Sequence, residues 1–180
     1  SYEEYIQDGD ENYSWPTLED DAGCALCYTS GTTGNPKGVL YSHKSNVIHA
    51  QAALTAMSIK PDDTILMVVP LFHVLAWGIP YFGPMNGLKL VMPGMQMEGE
   101  PLFELIDQED VTLAFGVPTI WMGLLAYCRD NNKILSSVKN TIIGGSALSL
   151  ATLQEFDEVH DVNVIHAWGM TEMSPLGTTN

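Results

Sequence analysis

Short apolar runs alternate along the chain with stretches in which apolar residues recur at helical spacing. The apolar runs predict strands at residues 22–28, 39–41, 64–69, 88–92, 111–115, 141–143 and 163–167. The helical stretches lie at residues 43–57, 74–85, 101–109, 119–129 and 149–159. Since the later strands are continuous apolar runs, the alternation predicts an α/β fold with a mostly parallel sheet flanked by helices on both faces.

Two segments depart from this regular alternation. Residues 1–21 are acidic and contain scattered aromatic residues, so we expect an irregular lead-in before an α/β core over residues 22–180. The helix predicted at residues 74–85 contains Pro80, which a helix interior accepts only with a kink or a break.

The length and composition suit one domain. The chain has 180 residues, of which 46% are apolar, enough to bury a substantial core. It starts at Ser1 and stops at Asn180, and we expect it to be a single piece of a longer protein. No apolar run approaches the roughly 20 residues that a membrane-spanning helix needs, and no signal peptide opens the sequence. We therefore expect no transmembrane segment and a cytoplasmic location.

Acidic residues dominate the charge, but they are unevenly distributed. The net charge of -15 argues against a nucleic-acid partner, because phosphate backbones are bound by Lys and Arg. Residues 1–21 contain eight acids, whereas residues 28–41 contain none and include Lys37. A segment free of negative charge in an acidic protein favours a site for a phosphate group.

The three cysteines favour a reducing compartment over a disulfide framework. Cys24 and Cys27 form a C-x-x-C pair, which raises the alternatives of a zinc site and a redox site. A zinc site needs a second ligand pair, which is missing, and a thioredoxin-like pair opens a helix rather than lying in an apolar run. We expect both to be buried strand cysteines that act as small apolar side chains.

The most informative segment is residues 28–38, with the sequence YTSGTTGNPKG. Its glycines allow backbone amides to turn toward an anion, its hydroxyls add hydrogen bonds, and Lys37 adds a positive charge. The spacing does not fit the G-x-x-x-x-G-K-[ST] loop of kinases and GTPases, because Lys37 follows a proline. The alternative is a flexible Ser/Thr/Gly loop between two strands.

This segment resembles the characteristic phosphate loop of the adenylate-forming superfamily, which includes acyl-CoA synthetases, luciferases and peptide-synthetase adenylation domains. Residues 144–148 (GGSAL) resemble the glycine-rich strand end of that family, and residues 166–172 (HAWGMTE) resemble its Tyr-Gly-x-Thr-Glu motif. The three motifs occur in the family's order. The resemblance implies that the chain is the central part of the large N-terminal domain of such an enzyme.

The resemblance also implies roles for individual residues. Trp168 would stack near adenine in place of the usual tyrosine, Thr171 would contact the α-phosphate, and Glu172 would bind Mg²⁺, which takes one or two carboxylates beside substrate phosphates. The implied ATP-binding residues are Thr29, Ser30, Gly31, Thr32, Thr33, Gly34, Lys37, Gly145, Ser146, Ala147, His166, Ala167, Trp168, Gly169, Met170 and Thr171. The implied catalytic residues are Lys37, His73, Thr171 and Glu172. For Glu172, an exposed loop acid is the alternative.

Residues 70–78 (PLFHVLAWG) resemble the segment that precedes the acyl pocket in the family. Amino-acid-activating relatives usually have an aspartate where this chain has His73, so the sequence favours an apolar acid over an amino acid. The implied substrate residues are His73, Trp77, Pro118, Gly144, Trp168 and Met170. For Trp77 the alternative is an ordinary core residue.

The resemblance implies ATP-dependent activation of an apolar carboxylic acid, such as a fatty acid, to acyl-AMP, followed by transfer to coenzyme A. Mg²⁺, ATP and coenzyme A are the implied cofactors and co-substrates. One alternative keeps the adenylation but uses a carrier-protein thiol or another acceptor. A second is a non-catalytic nucleotide-binding module. The resemblance implies that the ribose-binding aspartate and the C-terminal domain with the catalytic lysine lie outside the 180 residues, so we expect this piece alone to form acyl-CoA at no meaningful rate. The sequence leaves the oligomeric state open.

Overall fold

The structure is a computed structural model that describes residues 1–30 and 34–180. Its strands are β1 (Gly23–Thr29), β2 (Lys37–Ser42), β3 (Thr64–Met67), β4 (Lys89–Val91), β5 (Leu113–Gly116), β6 (Asn140–Ile143), β7 (Asn163–Gly169) and β8 (Leu176–Thr179). Its α-helices are α1 (Tyr2–Ile6), α2 (His43–Ala56), α3 (Ile79–Met85), α4 (Gly99–Gln108), α5 (Pro118–Asn131) and α6 (Leu150–His160). Two short 3₁₀ segments span Val74–Gly78 and Thr171–Met173.

The main sheet has six strands in the order β4-β3-β5-β6-β7-β8. The first five strands of this order, β4, β3, β5, β6 and β7, are parallel to one another, and β8 pairs antiparallel with β7. Strands β1 and β2 form a separate antiparallel pair. The prediction of an α/β fold with a mostly parallel sheet is therefore confirmed.

Helices cover both faces of the sheet, as the apolar pattern predicts. On one face, α4, α5 and α6 bury side chains that include Leu102, Ile106, Trp121, Leu125 and Phe156. On the other, α2 and α3 bury Ala50, Ala53, Met57, Ile79 and Phe82. The central strands are buried between these layers, which explains why their sequences are continuous apolar runs.

Serine caps hold two of the predicted helix starts. The Ser42 hydroxyl accepts a hydrogen bond from the Ser45 N–H at 3.1 Å, and the Ser149 hydroxyl accepts one from the Thr152 N–H at 3.1 Å. Each satisfies an N–H of the first turn, which has no partner within the helix. The starts of α2 and α6 thus follow directly from the sequence.

Two expectations are wrong. The lead-in is not wholly irregular, because a capping box between Ser1 and Glu4 starts α1. The strand predicted at residues 163–167 is not the last one, because β8 follows β7. The segment 74–85 is broken as expected, but the break precedes Pro80: Val74 to Trp77 form a left-handed turn with φ between 42° and 55°, and α3 begins only at Ile79. Pro80 then lies in the first turn of α3, where its missing N–H is tolerated.

Of the two cysteines that we expected to be buried, only Cys27 is buried. Burial raises the pKa of the Cys27 thiol, so it stays protonated near neutral pH. Cys24 is exposed, and its sulfur accepts a hydrogen bond from the Asn46 side-chain amide at 2.9 Å.

No group of three potential metal ligands occurs within residues 1–30 and 34–180. In the same part of the chain, no helix has the length and apolar character needed to cross a membrane.

Candidate functional site at the carboxyl edge of the sheet

A cavity of about 230 Å³ opens beyond the carboxyl ends of β6 and β7, next to α2 and the left-handed turn. Its walls are formed by His49, Met57, His73, Val74, Trp77, Gly144, Gly145, Ala167, Trp168, Gly169, Met170, Thr171, Pro175 and Leu176. Open parallel sheets bind ligands at this edge, because loops from adjacent strands leave a crevice there. The cavity is the candidate functional site.

The glycine-rich segment after β6 allows two other elements to approach closely. A Cβ at Gly144 would lie 3.0 Å from the Ala167 carbonyl oxygen and 3.3 Å from the Trp77 indole. Gly145 has φ of 83°, a conformation that favours glycine. Residues 144 and 145 therefore let the backbone of β7 and the ring of Trp77 close the cavity from two sides.

The left-handed turn places Trp77 at the cavity. Where the sequence predicts a helix over residues 74–85, the structure has positive φ values from Val74 to Trp77, and the resulting turn brings Trp77 to the same cavity as His73. His73 lies just before the turn, where it is exposed at the cavity mouth, while Trp77 is partly buried. Non-glycine residues in this conformation cost about 1–2 kcal/mol each, so the surrounding packing must hold the turn.

The end of β7 supplies the aromatic wall of the cavity. Trp168 packs on β8, since a Cβ at Gly177 would lie 2.6 Å from its ring. Trp168 nevertheless remains 54% exposed. A flat ring supported from one side and open on the other is suited to stacking with a planar ligand.

Two of the sequence motifs meet at this edge. Ile143, which precedes the glycine-rich segment, pairs with His166 across β6 and β7. The His166 ring nitrogen Nε2 lies 3.3 Å from the Ser146 carbonyl oxygen, and the His166 N–H donates to the Asn180 side chain at 2.8 Å. Segments that are about 20 residues apart in the sequence thus form one connected wall.

Tyr41 connects the separate β1–β2 pair to the site. Its hydroxyl donates a hydrogen bond to the Thr171 carbonyl oxygen. The side chain is buried, and burial raises the pKa of Tyr41 far above its ordinary value, so the hydroxyl remains a donor. Tyr41 thereby anchors the 3₁₀ turn Thr171–Met173, which contains Glu172. Sequence analysis did not single out Tyr41.

The structure brings some of the predicted residues to the cavity and leaves others outside it. Nine line it: His73, Trp77, Gly144, Gly145, Ala167, Trp168, Gly169, Met170 and Thr171. Nine other described residues do not line it: Thr29, Ser30, Gly34, Lys37, Pro118, Ser146, Ala147, His166 and Glu172. Pro118 is buried in the first turn of α5. Gly31, Thr32 and Thr33 lie outside the described residues.

The residues that we expect to lie near the nucleotide phosphates are suited to an anionic nucleotide with Mg²⁺. Lys37 is exposed at the start of β2, opposite Thr29. The Glu172 carboxylate is exposed next to Thr171 and takes part in none of the salt bridges found in the described part of the chain. One such carboxylate beside substrate phosphates is a usual protein contribution to Mg²⁺ binding.

Sequence analysis missed five wall residues: His49, Met57, Val74, Pro175 and Leu176. His49 lies on α2 and Met57 directly follows its last residue, about two turns further along, a spacing that places both on one face of a helix. That spacing could have placed them together, but it could not have shown that their face meets the carboxyl edge of the sheet. Of the other histidines, His160 is buried, and its Nδ1 accepts a hydrogen bond from the Leu135 N–H at 3.3 Å, which is a structural role.

We expect Tyr41→Phe in the complete protein to weaken the site while preserving the core. The substitution keeps the ring but removes the donor to the Thr171 carbonyl, so the turn that contains Glu172 loses its anchor. Loss of one hydrogen bond corresponds to about 1 kcal/mol, and we expect about a fivefold lower kcat/KM for ATP with little change in the melting temperature.

Steady-state kinetics over a range of ATP concentrations checks this expectation. Tyr81→Phe is the matched control, because Tyr81 is partly buried at the α3 side and makes none of the hydrogen bonds described at the site. An equal effect of both substitutions on kcat/KM would show that Tyr41 has no positioning role.

The fold and the cavity define an α/β protein with a candidate ligand site at the carboxyl edge of a parallel sheet. A family model described as AMP-binding enzyme matches residues 2–180. The chain is 50% identical to a medium-chain-fatty-acid–CoA ligase from Ectopseudomonas oleovorans, over 100% of this chain and 33% of the relative. It is also 50% identical to a 3-methylmercaptopropionyl-CoA ligase from Ruegeria pomeroyi, over 99% of this chain and 34% of the relative.

Solved structures show the same similarity to coenzyme A ligases. An o-succinylbenzoate coenzyme A synthetase from Bacillus subtilis, in complex with ATP and a magnesium ion, superposes with a TM-score of 0.83 at 26% identity, over 99% of this chain and 37% of that one. The chain belongs to the AMP-binding enzyme family. This confirms the resemblance drawn from the three motifs. The chain spans about a third of the length of the curated relatives it matches.

Proposed function

We propose that the complete protein uses ATP to activate an apolar carboxylic acid to acyl-AMP and then transfers the acyl group to coenzyme A. The observation that carries the proposal is the shared cavity, in which Thr171 and Trp168 from one motif meet Gly144 from a second and Trp77 from the acyl segment. A nucleotide and an acid bound at these motifs would therefore lie side by side. The small-molecule co-substrates and the free cysteines support a cytoplasmic location.

The reaction has two steps. In the first, a carboxylate oxygen of the acid attacks the α-phosphorus of ATP, and pyrophosphate leaves. In the second, the thiolate of coenzyme A attacks the acyl carbon, and AMP leaves with the bonding electron pair. The protein contributes chiefly by aligning the reactants and stabilising negative charge.

The residues divide into three groups by what they would contact. Thr171 would donate a hydrogen bond to the α-phosphate, and Lys37 would supply positive charge to the phosphates. Trp168 would stack against adenine through its exposed face. His73, at the cavity mouth, and Trp77 would border the acid. Mg²⁺, when bound, neutralises phosphate charge, and Glu172 is the residue that would hold it.

Two assays on the complete protein test the proposal. Pyrophosphate exchange that depends on an added carboxylic acid would establish adenylate formation, and thioester formation with coenzyme A would establish the acceptor. Exchange without thioester formation would favour a carrier-protein thiol or another acceptor. Absence of exchange with acids from two to sixteen carbons would contradict the proposal and favour a non-catalytic module.

We expect Trp77→Ala to shift the preference of the complete protein toward longer or bulkier acids. Trp77 is partly buried and borders the cavity, so truncation enlarges the space for the acyl chain. Burial of one or two additional methylenes is worth about 1–2 kcal/mol, or roughly a tenfold change in relative kcat/KM. Measurement of kcat/KM across acids of increasing length checks this.

Trp121→Phe is the control, because Trp121 is fully buried between α5 and α6 and is not part of the cavity wall. It should lower the melting temperature without changing the relative kcat/KM values. If Trp77→Ala likewise lowers the melting temperature but leaves the relative kcat/KM values for short and long acids unchanged, Trp77 is an ordinary core residue.

A further inference from the structure

We propose that the outer face of the β1–β2 pair is an internal interface of the complete protein, covered by apolar polypeptide from outside residues 1–180. The face is formed by Leu26, Tyr28 and Leu40, which are termed the outer patch below. The inference concerns how the complete protein packs and does not depend on the proposed enzymatic function.

Both faces of the β1–β2 pair are apolar. The inner face is buried, because Cys27 and Tyr41 pack against Val74 of the left-handed turn. The outer face presents Leu26 and Leu40, which lie directly opposite each other in the strand register. An antiparallel pair with one face in water usually has polar residues on that face, whereas strands covered on both sides are apolar on both. The sequence of the pair therefore fits a position between two layers.

The outer patch is contiguous. Leu26 is 56% exposed, Tyr28 68% and Leu40 67%. A Cβ at Gly38 would lie 3.1 Å from Leu26 and 3.6 Å from Tyr28, and a Cβ at Gly23 would lie 2.9 Å from Leu40. The three side chains thus lie over two glycines, which add no polar group to the face. A single exposed apolar side chain is common, but a contiguous group marks a contact surface.

The solvent-facing helices of the same protein have a different surface. The exposed sides of α4, α5 and α6 carry charged residues, namely Glu104, Asp107, Arg129, Asp130, Asp157 and Glu158. Strand β1 contains no charged residue, and β2 contains only Lys37, two positions along the strand from the buried face residue Val39 and on the same side. In a protein with a net charge of -15, the uncharged outer patch is therefore unlike the surface that meets water.

The β1–β2 pair is also incomplete as a sheet. In the described part of the chain, these strands form a sheet of two, so each has an outer edge without a neighbouring strand. An isolated pair of strands is at best marginally stable in water, and sheet edges are normally paired or covered. The edges and the outer patch both require further polypeptide around the pair.

The rest of the same polypeptide is the occupant that fits. The two relatives at 50% identity are about three times as long as this chain. Residues 1–21 leave the outer patch exposed, so the lead-in is not the cover. Three side chains of about 200 Å² or less present too little area for a stable dimer, which buries roughly 800 Å² per partner. Packing within one chain needs no such area, because the covalent connection already keeps the two surfaces close together.

A cover over the outer patch would hold a strand of the candidate site in place. Lys37 and Tyr41 lie on one side of β2 and Leu40 lies on the other, because successive side chains of a strand alternate. Tyr41 donates its hydrogen bond to the Thr171 carbonyl from this strand. The proposed interface therefore lies directly behind the residues that approach the cavity.

Hydroxyl-radical footprinting of the complete, unmodified protein tests the inference. Mass spectrometry of the peptides gives an oxidation rate for each side chain that water reaches. Leu150 on α6 is the matched reference, since it is 70% exposed and Leu40 is 67% exposed, and Val159 on the same helix is a second reference at 52%. Leu26 and Leu40 should be oxidised at least about tenfold more slowly than either reference, because covered apolar side chains are removed from water.

Two results of the footprinting would overturn the inference. Oxidation of Leu26 and Leu40 within about twofold of both references would show that the outer patch faces water. The measurement is repeated at a dilution at which light scattering shows a monomer. Protection that disappears in the monomer would show that a second copy is the occupant, whereas protection that persists supports the polypeptide's own remaining residues.

A pair of substitutions in the complete protein gives an independent measurement. Leu40→Gln should lower the melting temperature by roughly 5 °C or more, because it places an amide without a partner in an apolar interface. Leu150→Gln is the matched control and should change it by less than about 2 °C, as is usual at exposed positions. Equally small changes in the two variants would contradict the inference. If Leu40→Gln does not fold and Leu150→Gln does, the interface is supported. Neither measurement needs catalysis, so the inference and the proposed function can fail separately.

Discussion

Glu172→Gln in the complete protein is expected to raise the Mg²⁺ concentration needed for half-maximal adenylation by about tenfold and to lower the maximal rate by ten- to a hundredfold. The amide keeps the shape of the side chain but removes the negative charge that would hold the cation beside the phosphates. Glu172 is exposed and lies outside the packed core. We therefore expect no loss of stability.

A Mg²⁺ titration of acid-dependent pyrophosphate exchange measures the effect. Glu158→Gln, an exposed acid on α6 away from the cavity, is the control for the loss of one negative charge from an acidic protein. Identical titrations for Glu172→Gln and the unmodified protein would show that Glu172 is an ordinary exposed loop acid.

Gly78→Ala is expected to lower the melting temperature by roughly 5–15 °C and to impair the site at the same time. Gly78 has φ of 86°, which is unfavourable for alanine, and its new Cβ would lie 2.6 Å from the buried His49 ring. Strain and overpacking together correspond to about 2–5 kcal/mol, and each kcal/mol shifts the melting temperature of a domain of this size by about 2–4 °C.

Gly87→Ala separates the two causes. Gly87 also has a positive φ, of 65°, but a Cβ there would meet nothing within 4 Å. Gly87→Ala should therefore show only the backbone strain, and its melting temperature should decrease by about 2–4 °C. Thermal unfolding monitored by circular dichroism gives the melting temperatures of both variants. Equal decreases for the two variants would show that the contact with His49 contributes nothing.

The sequence was sufficient for the parts of the fold that depend on local patterns. Continuous apolar runs such as residues 64–69 identified buried parallel strands, because a strand covered on both faces has no polar side. The helices predicted from residues 43 and 149 start close to these positions, because the Ser42 and Ser149 hydroxyls each satisfy an N–H within their own turn. The three motifs gave the family, which the match over residues 2–180 confirms.

Local patterns failed where long-range contacts determine the backbone. Residues 74–77 are ordinary apolar residues with no local preference for positive φ, and their left-handed turn is held by packing against other elements. The exposure of Cys24 and the pairing of β8 with β7 likewise depend on neighbours that are distant in the sequence. Intrinsic propensities are weak compared with such tertiary contacts.

The sequence by itself determined the family and the alternation of strands and helices, because both are encoded in contiguous residues; which segments approach ATP stays a prediction from the motifs. Only the tertiary structure decided that Tyr41 on β2 anchors the Thr171 carbonyl and that His49 on α2 faces the cavity. Tyr41 and Thr171 are 130 positions apart in the sequence, and no spacing rule relates them. Their contact exists because the β1–β2 pair packs beside the carboxyl edge of the sheet, and this packing depends on the three-dimensional arrangement of whole elements rather than on any local pattern.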